Sequence, residues 1–426
     1  MRPPSDHRAA IYKKMTWRLV PFLLLCLVIS YIDRVNIGFA KLQMLGDLGL
    51  SETAYGLGAG AFFVGYALCE IPSNIILMRV GARRWIGRIM VTWGIACAAM
   101  MFVNSAATFY LARFVLGVAE AGFIPAILYY LTVWFPSAHR GKPMALFLIG
   151  VPLSGIIGGP LSGWLLTGYR PVPGLAGWQW MFLFEGTVTV VIGAVCFVYL
   201  QDSVMSCRWL SPEEKRIVSA DLAEDVAEAK LHSIRDGLAS GKAWLLSVTY
   251  FFFAMGLYGI SFWLPTIIRE TGVADPVAIG LLSAIPYSGA LVAMILVGRS
   301  SDRRRERRWH LAVSAMVGAA GLMLSVLSAG NVPVSLLFLT VAAAGTPTCV
   351  PQFYTLAPTI LVGPAAASGL ALVNSTGSVA GFVSPYLIGF VKDTTGNTGL
   401  GVFTLALALL VGAALVFANP GRLVNR

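Results

Sequence analysis

Four charged side chains are unusual because they lie inside long apolar stretches of the sequence. Asp33 and Arg34 are adjacent in one stretch, and Arg113 and Glu120 share another. A charged side chain at the centre of a bilayer costs roughly 2.5 to 3.5 kcal/mol on insertion scales, so pairing or function must offset each of them. Carboxylates shielded from water bind and release protons, and a guanidinium binds carboxylates through two parallel hydrogen bonds. The pattern therefore indicates proton and anion chemistry.

The positions of these residues along their helices predict how they pair. If the first span ends near Ala40 and the fourth begins near Thr108, Asp33 and Arg113 share a depth of about 10 Å, at about 1.5 Å per residue. An ion pair between Asp33 and Arg113 is therefore predicted. Glu120 falls near the midplane on the same helix face as Arg113, with no basic side chain expected at its level.

This arrangement predicts a separate role for each group. Arg34, about 100° around the helix from Asp33, is predicted to bind the carboxylate of a substrate. Glu120, without a matched cation, is predicted to bind and release a proton near neutral pH. Asp33 is predicted to bind a second proton, and the distance to Arg113 is predicted to set the proton affinity of Asp33. Asp33, Glu120 and Arg113 are therefore the predicted proton-coupling residues. The alternative is a static ionic network that only orders the amino-terminal half.

Uncharged polar side chains inside apolar stretches are further candidates for substrate contact. They are Tyr66, Tyr250, Asn374 and Ser378. Tyr66 offers a phenol to a central cavity, and Asn374 and Ser378 lie one turn apart on one helix face. The same residue types also serve packing and contacts between helices, so both interpretations stay open at this stage.

The elements that position these residues are predicted to be membrane-spanning helices. Hydrophobic residues make up 57% of the chain and charged residues only 12%, whereas a soluble domain carries about 25% charged residues. Backbone groups that face lipid must be satisfied within a helix. Apolar runs of roughly 20 residues predict twelve spans, at about 17–40, 55–78, 86–104, 107–132, 143–166, 180–200, 243–268, 277–298, 310–329, 334–356, 367–391 and 399–418.

Charge and internal similarity predict how the spans are arranged. Basic residues concentrate at the amino terminus and in even-numbered connections, which predicts a multi-pass protein of the cell inner membrane with both termini cytoplasmic. Residues 201–241 form the long polar segment that divides the spans six and six. The prediction is an amino-terminal bundle at 1–200, a cytoplasmic linker at 201–241 and a carboxy-terminal bundle at 242–426.

The two halves also repeat short sequence features. The run Arg83-Arg84-Trp85 recurs as Arg307-Arg308-Trp309, and Gly155 with Gly163 recurs as Gly381 with Gly389. Together with the span count, these matches predict an all-α membrane protein of twelve helices in two pseudo-symmetric six-helix bundles. A binding site is expected at the midplane between such bundles.

Composition also excludes several functions. The net charge of +11 comes from short basic runs between apolar spans, so no nucleic-acid partner is expected. The six cysteines and four histidines show no metal-ligand spacing, and no metal or cofactor is predicted. An enzyme is not expected because the polar segments are too small to house a catalytic domain. The sequence predicts a monomeric transporter. Its predicted partners are the lipid bilayer, protons and a small organic anion.

Four segments carry a resemblance to a known family: YIDRVNIGFA, EIPSNIILMRVGARRWIGRIMVTWGI, RFVLGVAEAGFIPAILYYLTVWFP and GLAGWQWMFLFEG. They resemble the anion:cation symporter branch of the major facilitator superfamily, and the resemblance covers essentially the whole chain. It implies the major facilitator fold and proton-driven uptake (symport) of an organic anion such as a sugar acid, tartrate, phthalate or hydroxyphenylacetate. An antiporter or exporter of a small organic solute on the same fold is the alternative, and a channel or receptor is a third class.

The resemblance also assigns residues. It implies proton coupling and anion binding at Asp33, Arg34, Arg113 and Glu120, and substrate contact at Tyr66 and Asn374. The loop signature of the superfamily is intact in the second half, where it implies conformational gating by Gly298, Asp302, Arg303 and Arg307. The first-half copy lacks the aspartate. The fifth span is apolar until Ser154, which argues against a polyhydroxy substrate and leaves tartrate or an aromatic acid open.

Overall fold

The computed structural model describes residues 5–168, 173–227, 240–361 and 365–419. Within these ranges the chain forms sixteen α-helices, one 3₁₀ turn at Met100–Phe102 and no β-strand. The first half contains α1 (Ser5–Leu48), α2 (Glu52–Val80), α3 (Ala82–Ala99), α4 (Ala106–Glu120), α5 (Phe123–Trp134), α6 (Ser137–Leu148), α7 (Gly150–Thr167) and α8 (Gly177–Tyr199). After α9 (Pro212–Ala227), the second half contains α10 (Gly241–Glu270), α11 (Pro276–Arg304), α12 (Arg308–Leu327), α13 (Val332–Gly345), α14 (Cys349–Ile360), α15 (Ala365–Thr395) and α16 (Thr398–Phe417).

The helices confirm the predicted all-α architecture and the predicted spans. Eleven helical stretches of described residues are long and apolar enough to cross a membrane. The helix α15, with 31 residues, occupies the position of the predicted eleventh span. Three spans are each built from two helices: α4 with α5, α6 with α7, and α13 with α14.

The break in the fourth span lies beside one of the buried charges. The helix α4 ends at Glu120, and Gly122 adopts a left-handed conformation with φ of 85° before α5 begins. Glycine adopts this conformation at little steric cost. Pro125 stands in the first turn of α5, where a missing N–H costs little. The Ser73 hydroxyl donates a hydrogen bond to the carbonyl of Ala121 at 2.7 Å, which satisfies a backbone acceptor at the break.

Glycines lie at two places where the two halves of the chain pack closely. The helix α7 packs on α11, and α2 packs on α15. A Cβ added to Gly163 would overlap the backbone carbonyl of Pro276, and one added to Gly389 would overlap the carbonyl of Glu52. Gly163 and Gly389 are the positions that sequence similarity paired between the halves. The repeat in the sequence thus corresponds to two equivalent close contacts between helices.

The two basic loops make equivalent contacts within their own halves. Arg83 donates from Nε to the carbonyl of Phe197 at 2.8 Å, near the end of α8. Arg308 donates from Nη2 to the carbonyl of Phe417 at 2.7 Å, at the end of α16. The first loop signature lacks the aspartate, and Asp202, which follows α8, lies 3.9 Å from Arg83.

Ion pairs join the two halves at the end of the molecule opposite the amino terminus. Lys41 of α1 lies 2.6 Å from Glu52, and Lys392 of α15 lies 2.6 Å from Glu52 and 2.9 Å from Glu270. The Lys41 ammonium is buried, 3.3 Å from the centroid of the Trp263 ring. We call Lys41, Glu52, Glu270 and Lys392 the outer latch. The outer latch links the two halves at this end.

The linker helix α9 contacts the amino-terminal part of α1 through an ion pair and a hydrogen bond. Lys14 lies 2.9 Å from Glu214, and the Tyr12 hydroxyl donates to Asp221 at 2.7 Å. The predicted division into 1–200, 201–241 and 242–426 stays a prediction, and residues 228–239 of that linker lie outside the described residues.

Candidate functional site

Glu120 and Arg34 form a buried ion pair beside the centre of the molecule. The distance from Arg34 Nε to Glu120 Oε1 is 2.7 Å, and both side chains are buried. Ser30 donates its hydroxyl to the same Glu120 oxygen at 2.9 Å. Ser30 and Arg34 are four residues apart and so share the face of α1 that meets α4. The expectation that Glu120 lacks a cation is therefore wrong, because Arg34 supplies it.

Asp33 faces away from that pair. Its carboxylate accepts hydrogen bonds from Trp93 Nε1 at 2.6 Å and Thr189 Oγ1 at 2.9 Å, with Cys97 Sγ at 3.7 Å. Trp93 and Cys97 lie on α3 and Thr189 on α8. Adjacent residues on a helix point about 100° apart, so Asp33 meets α3 and α8 while its neighbour meets α4. The Asp33 carboxylate has three donors and, within the described ranges, no ion-pair partner.

Arg113 has an unusual environment for a guanidinium. The side chain is 0% exposed, and its three nitrogens lack hydrogen-bond partners within the described residues. Its guanidinium carbon lies 5.1 Å from the centroid of the Phe62 ring, and that of Arg34 lies 5.5 Å from the same ring. Attraction of cations to the ring face offsets part of the burial cost. The predicted Asp33–Arg113 ion pair is wrong, because similar depth does not make two side chains face each other.

A cavity lies between the two halves next to Arg34. Six of its lining residues are Tyr31, Arg34, Ser154, Tyr258, Phe262 and Tyr287. The Arg34 guanidinium lies 5.2 Å from the centroid of the Tyr31 ring and 5.1 Å from that of Tyr66, and its Nη2 lacks a hydrogen-bond partner within the described part of the chain. The Ser154 hydroxyl donates to the carbonyl of Val151 at 2.6 Å, within its own helix. The cavity thus combines one guanidinium with mainly apolar walls, in which four of the lining residues are aromatic.

The remaining predicted substrate residues form a second group, on the helices of the carboxy-terminal half. The Tyr250 ring lies 5.5 Å from the Tyr354 ring, and the Tyr354 hydroxyl donates to Asn374 Oδ1. Ser378 donates to the carbonyl of Asn374 at 3.4 Å, a contact within α15. Tyr66 contacts Arg34 instead, and lies in the first half. The structure therefore joins Tyr66 to Arg34, and Tyr250 to Asn374 through Tyr354, which the sequence did not single out.

The predicted gating residues lie at the end of α11 and in the loop that follows it. A Cβ added to Gly298 would lie 3.8 Å from Gln352 Nε2, so there is room for a side chain. The carbonyl of Asp302 accepts from the backbone N–H of Arg305 at 3.4 Å. Arg307 donates to the carbonyl of Thr355, in the same half of the chain. No role in gating follows from these contacts, and gating by Gly298, Asp302, Arg303 and Arg307 stays a prediction.

Two groups of buried charges were missed at the sequence level. Lys41 of the outer latch was overlooked because the first span was ended at Ala40, whereas α1 continues to Leu48. Glu185 of α8 is also buried, and it lies in a segment quoted only for its resemblance. The sequence does indicate Glu185 as a candidate, because a carboxylate inside an apolar span is a candidate functional group.

Comparison with known proteins agrees with this architecture. A sequence model of the Major Facilitator Superfamily matches residues 23–385. A bacterial homologue of the human lysosomal transporter Spinster, solved in an inward-facing and unoccupied conformation, superimposes with a TM-score of 0.73 over 99% of this chain and 98% of its own. The sequence identity is 18%, so this likeness concerns the fold alone.

Three relatives are similar over nearly the whole chain. The "Putative metabolite transport protein NicT" of Pseudomonas putida is 49% identical over 99% of this chain and 97% of its own. A "Putative tartrate transporter" of Agrobacterium vitis is 44% identical over 96% of this chain and 91% of its own. A "Quinolone resistance transporter" of Acinetobacter baumannii is 39% identical over 97% of this chain and 95% of its own.

Proposed function

We propose that this chain, which belongs to the Major Facilitator Superfamily, takes up a small organic anion together with protons. The chain is a multi-pass membrane transporter and not an enzyme. The observation that carries the proposal is the Arg34–Glu120 ion pair at the edge of the cavity, at 2.7 Å. A guanidinium that already has a counter-ion binds a second carboxylate more tightly once the first gives up its charge.

This competition supplies a mechanism for coupling. While Glu120 is ionised, an entering anion would meet a paired guanidinium and a neighbouring negative charge. A proton on Glu120 removes that charge and leaves Arg34 to bind the substrate carboxylate with Nη2 and a second N–H. Anion and proton therefore favour each other at the site, and reciprocity of binding follows from linkage.

Alternating access completes the proposed cycle. The outer latch links the two halves at one end, and the Asn374 side chain is exposed towards the other, which supports access to the cavity from that other end in this state. Release of anion and proton at this end restores the Arg34–Glu120 pair. We assign this end to the cytoplasm and the protein to the cell inner membrane, because the basic loops lie on this side.

The walls of the cavity favour an aromatic carboxylate over a polyhydroxy one. Tyr31, Tyr258, Phe262 and Tyr287 present ring surface near Arg34. The Ser154 hydroxyl is engaged within its own helix, so α7 offers few hydrogen bonds to sugar-like hydroxyls. A screen by thermal stabilisation at mildly acidic pH should rank benzoate-type acids above tartrate and sugar acids. Stronger stabilisation by tartrate would contradict this preference.

Uptake into proteoliposomes tests the proposed symport directly. The external medium is made acidic relative to the lumen, and accumulation of the best ligand of the screen is followed with a radiolabel. Accumulation that a protonophore abolishes is the expected result. If uptake requires a counter-substrate inside and ignores the pH gradient, antiport replaces symport. Accumulation with the gradient reversed would indicate an exporter.

A further inference from the structure

Glu185 is a buried carboxylate that the proposed mechanism does not use. The side chain is 4% exposed and lies on α8. It accepts hydrogen bonds from Asn36 Nδ2 at 2.7 Å and from Ser162 Oγ at 3.1 Å. Both donors are neutral, and within the described residues Glu185 has no ion-pair partner. A carboxylate in this position needs either a cation or a proton to offset burial.

Glu185 and Asp33 occupy neighbouring positions where α1 and α8 meet. Thr189, one turn after Glu185, donates to Asp33, and Asn36, one turn after Asp33, donates to Glu185. Two contacts between the same pair of helices thus place the two carboxylates side by side where α1 meets α8. Among the described residues, the other titratable group in contact with these two carboxylates is the Cys97 thiol of α3. Its Sγ lies 3.7 Å from Asp33 Oδ1 and 3.8 Å from the carbonyl of Phe182, so its one S–H donates to either acceptor.

The amide of Asn36 supplies an independent observation. Asn36 is 0% exposed, and its Oδ1 has no hydrogen-bond donor among the described residues, although its Nδ2 contacts Glu185. Buried polar atoms normally have partners. A protonated carboxyl group donates through O–H and still accepts through its carbonyl oxygen, which matches an amide on both sides. A neutral Glu185 carries an O–H beside Asn36, which is the kind of donor that Asn36 Oδ1 lacks.

The count of buried charges agrees with a bound proton. Arg34 and Arg113 are the buried guanidiniums of this region, and Asp33, Glu120 and Glu185 are its buried carboxylates. With all five ionised the region carries one uncompensated negative charge. Arg34 already neutralises Glu120, so the excess falls on Asp33 and Glu185, which lie beside each other.

We propose that Glu185 is a further proton-binding residue of this transporter, sharing one proton with Asp33 and holding it against Asn36 in the state described. The inference rests on the proposed proton coupling and extends it to α8. When Asp33 and Glu185 are both ionised they repel each other, so their proton leaves only as the surrounding helices rearrange or when a counter-charge approaches. Glu185 then acts on transport through Asp33, as a positioning residue for the proton.

Infrared spectroscopy of the purified protein tests the presence of the proton without any transport assay. A protonated carboxyl group has a carbonyl stretch separate from that of a carboxylate. We expect this band at neutral pH in the wild-type protein and in Glu120→Gln, and its loss in Glu185→Gln. The amide that Glu185→Gln introduces preserves a donor to Asn36, so folding should be retained. A band that Glu185→Gln leaves unchanged would overturn the assignment.

The pH dependence of transport tests the coupling. In Glu185→Gln the neighbouring negative charge is gone, so Asp33 should hold its proton less tightly, and the pH midpoint of gradient-driven uptake should fall by about one unit. Ser162→Ala removes a donor to ionised Glu185 and should shift the midpoint in the opposite direction. The variant Glu213→Gln, at an exposed position of α9, is the control and should show no shift.

The outcomes separate this inference from the proposed function. Wild-type uptake that is coupled to protons, with Glu185→Gln and Ser162→Ala indistinguishable from it across the pH range, would make Glu185 a static acid and overturn the inference alone. Wild-type uptake without any substrate-linked proton movement would overturn the proposed symport, and the coupling role of Glu185 with it.

Discussion

The two halves of this protein share a fold but differ in chemistry. All buried charged side chains among the described residues belong to the first half: Asp33, Arg34, Lys41, Arg113, Glu120 and Glu185. The buried polar groups of the second half are uncharged within the same ranges, and include Gln352, Ser378 and several serines and threonines. The equivalent glycine contacts show that this difference does not come from the backbone arrangement.

The difference teaches how a symmetric scaffold separates two tasks. Charges in a low-dielectric interior respond strongly to protons and anions, so the first half suits coupling. Neutral hydroxyl, amide and ring groups recognise shape at smaller energetic cost, so the second half suits selection of the substrate. A variant in the first half should therefore alter coupling, whereas a variant in the second half should alter affinity or selectivity.

The largest effect is expected at Arg34. Arg34→Ala removes the guanidinium that binds the anion and leaves Glu120 without its cation. Removing one partner of a buried, hydrogen-bonded charge pair costs roughly 2 to 5 kcal/mol, so affinity should fall by at least about 30-fold. Equilibrium binding of radiolabelled substrate measures this loss of affinity. Arg34→Lys is the matched control, because it keeps the charge without the planar geometry and should bind weakly. Near wild-type affinity in Arg34→Ala would show that the anion binds elsewhere.

Glu120→Gln should separate binding from coupling. The glutamine resembles protonated glutamate, so Arg34 is released and substrate binds without a proton. Exchange of substrate across the membrane should persist, whereas accumulation driven by a pH gradient should be lost. Counterflow and gradient-driven uptake, measured on the same proteoliposomes, give the comparison. If Glu120→Gln still concentrates substrate against its gradient, the proton is carried elsewhere.

The outer latch offers a smaller effect on conformation. Glu52→Gln removes the anion shared by Lys41 and Lys392, which lie in different halves and would then repel each other. The outer side should open more often, by about tenfold in population for a change of about 1.4 kcal/mol. A cysteine placed at Tyr258 and an impermeant maleimide added outside report the opening. Glu213→Gln, in α9, is the control. Equal labelling in both variants would show that the outer latch does not control opening of the outer side.

The sequence supports the fold better than it supports the site. Apolar run length and basic loops predict the helices, because membrane thickness and lipid set these directly. Depth along a helix also follows from the sequence, but the direction in which Asp33 points depends on which helices surround α1. That information lies in the packing of α3 and α8, which no local pattern encodes.

Two further misses have different physical origins. Lys41 was placed beyond the end of the first span, because a lysine normally marks the membrane surface, whereas here Trp263 and Glu52 cover it. Tyr354 was overlooked because a tyrosine in a span is ordinarily a packing residue. Its contact with Asn374 joins α14 to α15, and such a contact between helices emerges only from the tertiary structure.

Tyr354→Phe should give the smallest effect and sharpens the comparison most. The change removes the hydroxyl that donates to Asn374 and preserves the ring beside Tyr250. A neutral hydrogen bond is worth about 0.5 to 1.5 kcal/mol, so substrate affinity should fall by about twofold to twelvefold. The pH midpoint of uptake should stay at the wild-type value, because the change leaves the buried charged groups of the first half in place. A shifted midpoint with unchanged affinity would mean that coupling extends into the second half and that the two halves do not divide the tasks.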